Sequence, residues 1–283
     1  MVVYDDFETV LVSKPALYVL HVEINRPSKR NAMNPRFWWE FREVFERIAN
    51  DDSRVVVISG RGDHFSAGLD LADNSNFEQI GKVTTDVARR ALRFRKLAMA
   101  MQASFSAVER CPQPVVAAIH GACVGGAVDL VCACDIRLCS EDARFCVAEV
   151  KVGLAADVGT LQRMPRIVGN ESLCRELAYT GRTFGSAEAA RMGLVSRSLG
   201  ENSRQKEVVE AAMLVAADIV RHSPVAVFGT KRNLIYSRDH SVEDGLEYAA
   251  TWNGAALQAE DLETAMRAAL AKKGTAAPKF SKL

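Results

Sequence analysis

At 283 residues, 48% of them hydrophobic, the chain can bury a full core, as one large domain or as a core with an appendage. A net charge of +1 gives no reason to expect nucleic acid as a partner, the 7% aromatic content offers little base stacking, and no apolar run is long enough for a membrane-spanning helix. The seven cysteines are odd in number, scattered through core-like segments and without paired C-x-x-C spacing, so buried reduced thiols are expected rather than disulfides or zinc ligands.

The first ten residues, MVVYDDFETV, carry acids and lack both an apolar signal core and an Arg-rich presequence, which supports neither secretion nor mitochondrial import. Tyr18–Asn25 alternates like a half-buried strand until Pro27 and Ser28 break it, and Arg26, Lys29 and Arg30 make the loop basic. Pro35 suits the first position of a helix running to about Asn50, with Phe37, Phe41, Val44, Phe45 and Ile48 on a core stripe. Val55–Ser59 reads as a short buried strand, loosened afterwards by Gly60, Gly62 and Gly68. From Val83 to Arg110, Val87, Ala91, Phe94, Ala98, Met101, Phe105 and Val108 recur at helical spacing, while Arg89, Arg90, Arg93, Arg95 and Lys96 crowd the first half. A solvated or subunit-facing surface is expected there.

Val115–His120 is strand-like, meets a glycine turn at Gly121, Gly125 and Gly126, and is followed by a helix-like run, Ala127–Cys134. A strand feeding a helix N-terminus presents backbone N–H groups to an anion. Asp129 stands in that helix among Val124, Val128, Leu130 and Val131; Arg144–Ala148 reads as a strand delivering Glu149; Gly153 and Gly159 bracket Asp157. Helices are expected at Thr160–Ile167, Asn170–Thr180 and Ser186–Met192, and the chain turns helical from about Asn202, with Pro224 preceding Val225–Tyr236.

Carboxylates in apolar company are costly unless used or paired. Backbone donors beside several such acids suit proton transfer next to a carbonyl, the donors stabilising an enolate oxygen while an acid moves the proton. The alternative is that Gly125–Gly126 is a tight turn and the acids are caps or ion pairs. Other chemistries find no motif: there is no G-x-S-x-G, no H-E-x-x-H, and GACVGG lacks both the dinucleotide and the nucleoside-triphosphate spacing. The histidines suggest no site, although His64 and His120 flank the glycine turns where they could touch a substrate.

HGACVGGAVDLVCACDIRLCSEDARF, together with HFSAGLDL, resembles the enoyl-CoA hydratase/isomerase (crotonase) superfamily over nearly the whole chain. Within it, VAEVKVGLAADVGTLQRMPRIVGN and KRNLIYSRDHSVEDGLEY resemble the Δ3,5-Δ2,4-dienoyl-CoA isomerase branch. The resemblance implies an α/β fold, a crotonase-like spiral of ββα units over residues 1–201 with a C-terminal helical oligomerisation region over 202–283, assembled as a homotrimer or homohexamer. It implies an acyl-CoA thioester as substrate and no cofactor, CoA being part of that substrate, with Arg26, Lys29 and Arg30 near the CoA phosphates. The loop Ser66, Ala67, Gly68, Leu69 and Asp70 would receive the thioester, with the N–H groups of Leu69 and Gly126 as oxyanion donors. Glu149 would work at C2 and Asp157 at C6, the exchange of roles open, and Asp129 would tune the pocket or assist either. Ala127 departs from the family, where a third glycine is frequent.

The resemblance leaves two alternatives. One is a 2-enoyl-CoA hydratase, holding water between the positions of Asp129 and Glu149; the other is a non-catalytic relative that binds acyl-CoA or RNA. Ser281-Lys282-Leu283 reads as a peroxisomal import signal for an import receptor.

Overall fold

A computed structural model describes residues 2–73, 82, 85–271 and 278–282. The expected helix start at Val83 and Leu283 of the terminal tripeptide lie outside these residues. Strands β1 (Val10–Ala16) and β2 (Val19–Ile24) form an antiparallel hairpin through Tyr18, whose φ of 63° closes the turn. From β2 the main sheet grows in parallel through β3 (Val55–Gly60), β4 (Val115–Ile119), β6 (Ile136–Cys139) and β9 (Arg197–Ser198), in the order β1-β2-β3-β4-β6-β9. A second sheet holds β5 (Ala122–Val124), β7 (Arg144–Cys146) and β8 (Phe184–Gly185).

The two sheets are wound from one repeating path. The chain leaves β4, turns at Gly121, enters β5 and continues into helix α3 (Gly126–Ala133); it then leaves β6, enters β7 and continues into a 3-10 turn (Glu149–Val152). After β3 the path is the same in miniature, because Ser66 pairs with Cys123 of β5 in a single bridge before the chain reaches helix α2 (Val87–Arg110). These are turns of the expected ββα spiral, starting at Val55, Val115 and Ile136. At Gly121, φ is +53° and a Cβ would lie 2.1 Å from the Asp63 carbonyl oxygen, so the corner between sheets excludes a side chain.

Parallel strands are covered on both faces, and β3 shows this residue by residue. Val56 and Ile58 face a core containing Phe37, Phe41 and Phe45 of helix α1 (Pro35–Ile48) and Phe105 of α2; Val55 and Val57 face Val208, Ala212 and Ala216 of helix α7 (Gln205–Val220). The α1 stripe is an aromatic ladder, with ring centroids 5.1 Å apart for Phe37–Phe41 and 5.0 Å for Phe41–Phe45. Asn34 starts this helix by accepting the Phe37 N–H at 3.0 Å, and Pro35 follows at its first position.

Helices α4 (Thr160–Val168), α5 (Glu171–Thr180) and α6 (Ser186–Arg191) match the expected segments to within a residue. Beyond α7, helix α8 (Pro224–Ser237) packs against α9 (Val242–Ala256) through stacked Tyr236 and Tyr248 and an edge-on Phe228–Trp252 pair, and α10 (Glu260–Leu270) follows. The Lys231 ammonium anchors α8 to the core, reaching Asp135 at 2.7 Å and the Gln113 and Val108 carbonyls. Leu246, Leu257, Met266 and Leu270 of this region are exposed. All seven cysteines are buried free thiols, and among the described residues no single helix is long and apolar enough to cross a membrane.

Candidate active site

The loop after β3 is laced on both sides. Ser66 N–H donates to Ala122 O at 2.9 Å and Ser66 O accepts from Val124 N–H at 3.1 Å; Ala67 N–H donates to Arg30 O, while Gly68 O and Asp70 N–H pair with Met33. The Ser66 hydroxyl donates to Asn31 O at 2.7 Å and accepts the Gly68 N–H at 3.1 Å. This accounting leaves the Leu69 N–H with no acceptor among the described residues. The Gly126 N–H is left over for a different reason: it opens α3, where a helix has no acceptor for its first donors.

The two free donors face one space because Gly68 lets the loops touch. Its φ is +84°, and a Cβ there would lie 2.4 Å from Val124 O and 3.3 Å from Gly126 N. Leu69 and Gly126 both line a cavity of ≈ 440 Å³ whose other walls include Trp38, Leu97, Met101 and Leu154, together with the two acids Glu149 and Asp157. Asp70 is placed elsewhere: it is buried, pairs with Arg26 at 2.7 Å and accepts the Ala72 and Asp73 N–H groups. Burial pushes its pKa up, but the Arg26 hydrogen bond and the loop N–H groups together hold it below the usual value. Asp70 thus staples the loop.

The three acids sit at three depths. Asp129 is fully buried; one carboxyl oxygen accepts the Thr160 N–H at 2.5 Å and the other has no geometric partner. Burial, then repulsion from Glu149, raises its pKa to about 7, against the lowering effect of Thr160. Glu149 is half-buried at the start of the 3-10 turn, its carboxyl close to Gly125, where a Cβ would stand 3.4 Å from Oε1. Burial raises its pKa as well, Asp157 adds repulsion, and hydrogen bonding with Asp129 opposes the rise. Both carboxyls of the Asp129–Glu149 pair are thus pushed towards the protonated form. Asp157 is exposed in the loop before α4, has its pKa raised by burial, and has its carbonyl oxygen tied to the Gln102 side chain at 2.6 Å.

The structure therefore brings Leu69, Gly126, Glu149 and Asp157 to one cavity and leaves Asp129 behind its wall, touching the space through Glu149. The histidines are latches: His120 Nε2 donates to Gly62 O at 2.9 Å, and His64 Nδ1 accepts the Ala122 N–H at 3.3 Å. Lys29 and Arg30 lie exposed beside the loop, whereas Arg26 is committed to Asp70 and the Ala32 carbonyl. Sequence reading assigned no role to Trp38, which lies off the α1 stripe, or to Gln102; it took Phe94, Ala98 and Met101 as helix packing, although all three line the cavity.

A model of the enoyl-CoA hydratase/isomerase family matches residues 17–276. A Rattus norvegicus protein named Delta(3,5)-Delta(2,4)-dienoyl-CoA isomerase, mitochondrial, is 50% identical over 279 residues, covering 98% of this chain and 84% of that protein. An Arabidopsis thaliana protein of the same name, but peroxisomal, is 45% identical over 266 residues, covering 94% of this chain and 93% of that protein. A solved structure of enoyl-CoA hydratase from Bacillus anthracis is similar with a TM-score of 0.83 at 25% identity, covering 96% of this chain and 98% of that one. With a family model matched along most of its length and relatives at half identity, the chain belongs to the enoyl-CoA hydratase/isomerase family.

Proposed function

We infer that the protein is an isomerase that converts 3,5-dienoyl-CoA to 2,4-dienoyl-CoA in the oxidation of unsaturated fatty acids. The observation that carries this reading is the pair of carboxyls, Glu149 and Asp157, in the walls of one largely apolar cavity that also holds two unused N–H donors. The thioester oxygen accepts hydrogen bonds from Leu69 and Gly126, and Glu149 takes the proton from C2. The dienolate is stabilised at the oxygen, each donor contributing roughly 3 kcal/mol, and Asp157 delivers a proton to C6. C2 and C6 are too far apart for one fixed carboxylate to serve both easily, which is why two acids are wanted. Only protons move, so the reaction consumes no cofactor. Asp129, buried behind Glu149, tunes its charge.

The hydratase alternative needs water held between the carboxyls of Asp129 and Glu149. Asp129 is 0% exposed and does not line the cavity, which favours the isomerase. Incubation with a 3,5-dienoyl-CoA and, separately, a 2-enoyl-CoA tests this: conjugated-diene absorbance should rise in the first, with little loss of enoyl absorbance in the second. Rapid hydration without diene conjugation would refute the isomerase reading.

Residues 1–201 as spiral core and 202–283 as a helical region that assembles copies into a trimer or hexamer accord with the exposed leucines of α9 and α10. Peroxisomal import through Ser281-Lys282-Leu283 accords with the exposure of Ser281 and Lys282 and with the name of the Arabidopsis relative. Removing Leu283 should leave the protein folded and cytosolic; import of the truncated chain by itself would show that the tail is not the address.

A further inference from the structure

Each isomerisation leaves the enzyme's two acids in the wrong states. Glu149 has gained the C2 proton and Asp157 has lost the one now on C6, so Asp157 must be reprotonated before the next turnover. Asp157 and Val158 stand in a wall shared by two spaces, the acyl cavity and a separate cavity of ≈ 370 Å³ on the other side. That second cavity is polar where the first is apolar. It has room for roughly ten waters, and it reaches the surface at exposed Gln162 and Arg166.

Its three arginines are engaged with Glu109 and Asp239 rather than with Asp157. Arg163 bonds Glu109 at 3.1 Å and the Ser106 hydroxyl at 3.2 Å, Arg238 also pairs with Glu109, and Arg166 pairs with Asp239. No cation is paired to Asp157 among the described residues. An arginine bound to it would hold it ionised and unable to recover a proton. The Gln102 bond to its carbonyl oxygen fixes the segment in the shared wall without touching its charge.

We propose that the polar cavity between α2, α4 and the end of α8 is the route by which Asp157 regains its proton from water after each turnover. The proposal rests on the reading of Asp157 as the acid at C6. At the start of a cycle the Asp157 O–H bond breaks as the C6–H bond forms; after product release, the carboxylate takes a proton through this cavity while Glu149 gives one up to water, so protons balance over the cycle.

Gln162→Phe places a ring in the outer mouth, at an exposed position that does not line the acyl cavity. With enzyme in excess over 3,5-dienoyl-CoA, the first turnover should keep its wild-type rate, because Asp157 begins protonated. Steady-state turnover should fall fivefold or more. Equal steady-state rates, or equal loss in both regimes, would overturn the route. Independently of any variant, wild-type turnover in heavy water should put close to one deuterium at C6 of the product; hydrogen carried from C2 to C6 would mean internal transfer and also overturn it. Asp157→Asn separates the two levels: full activity there refutes the acid itself, whereas an inactive Asp157→Asn beside an unaffected Gln162→Phe refutes the route alone.

Discussion

Glu149 and Asp157 face one cavity from walls built on different principles. The Glu149 wall is braced: β7 delivers the residue, the 3-10 turn fixes it, and buried Asp129 lies behind with its own position set by the first N–H of α4. The Asp157 wall is a loop between two glycines, open to solvent and held through its backbone by Gln102 of α2. Burial raises both pKa values, but a second carboxyl, Asp129, stands behind Glu149, whereas Asp157 has no charged partner among the described residues. Two carboxyls can thus be set to opposite tasks by what stands behind each.

The sharpest way to break this comparison is to neutralise each side separately. Glu149→Gln and Asp157→Asn keep shape and most hydrogen bonding, and each should lower diene isomerisation by about 10²–10⁴-fold. They should part company in heavy water. With Asp157 neutralised, Glu149 still exchanges the C2 proton, because the Leu69 and Gly126 donors still stabilise the enolate; deuterium at C2 should persist in Asp157→Asn and vanish in Glu149→Gln. The reverse pattern would exchange the two roles, and full activity in either variant would sink the two-acid mechanism.

A smaller effect comes from the donors both walls depend on. Gly126 is the first residue of α3, a position where a helix tolerates proline, and Gly126→Pro removes the N–H while adding a ring. Gly126→Pro should cost on the order of a hundredfold in turnover. A Cβ there meets Met33 Sδ at 3.3 Å and the Trp38 ring at 3.7 Å, so Gly126→Ala, which adds the carbon but keeps the N–H, measures the crowding separately. Near-normal turnover in a folded Gly126→Pro would remove this donor from the mechanism.

How much of this was legible in the chain depends on whether the information was local. The β3 and β4 strands, α1 with its Asn34-Pro35 start, and the helices from Thr160 to Arg191 are written in short-range pattern and were read to within a few residues. β1 was missed because it is an edge strand whose half after Val12 is exposed and carries Lys14 and Pro15, which blunts the alternation. β5 was missed because three residues between glycines cannot display a period. Resemblance brought the acids and the donor loops into view, but not their depths: Asp129 is sealed off by the later arrival of α4, a contact no spacing near residue 129 encodes. The apolar side chains of α2 that wall the cavity look like those that fill a core, because a helical stripe records which face is apolar and not whether protein or substrate covers it.

The smallest predicted effect concerns the brace behind Glu149. Asp129 has a native pKa raised to about 7 by burial and by Glu149, well above the ordinary value of about 3.9 it regains on unfolding. Between these values the native state binds the extra proton, so its contribution is stabilising at low pH and is lost as pH rises towards and through about 7. The substitution Asp129→Asn would mimic the protonated form permanently: the carbonyl oxygen of the new amide can accept the Thr160 N–H and its NH₂ group can donate to Glu149. This variant should therefore lose less melting temperature than the wild type between pH 5 and pH 8, while keeping isomerase activity within several-fold, since the amide keeps the size and the Thr160 bond of the acid. Thermal denaturation at the two pH values, with diene absorbance as the activity readout, checks both halves. An unchanged pH slope would mean that Asp129 is ionised in the native protein, and the division of labour between the two walls would then need another cause.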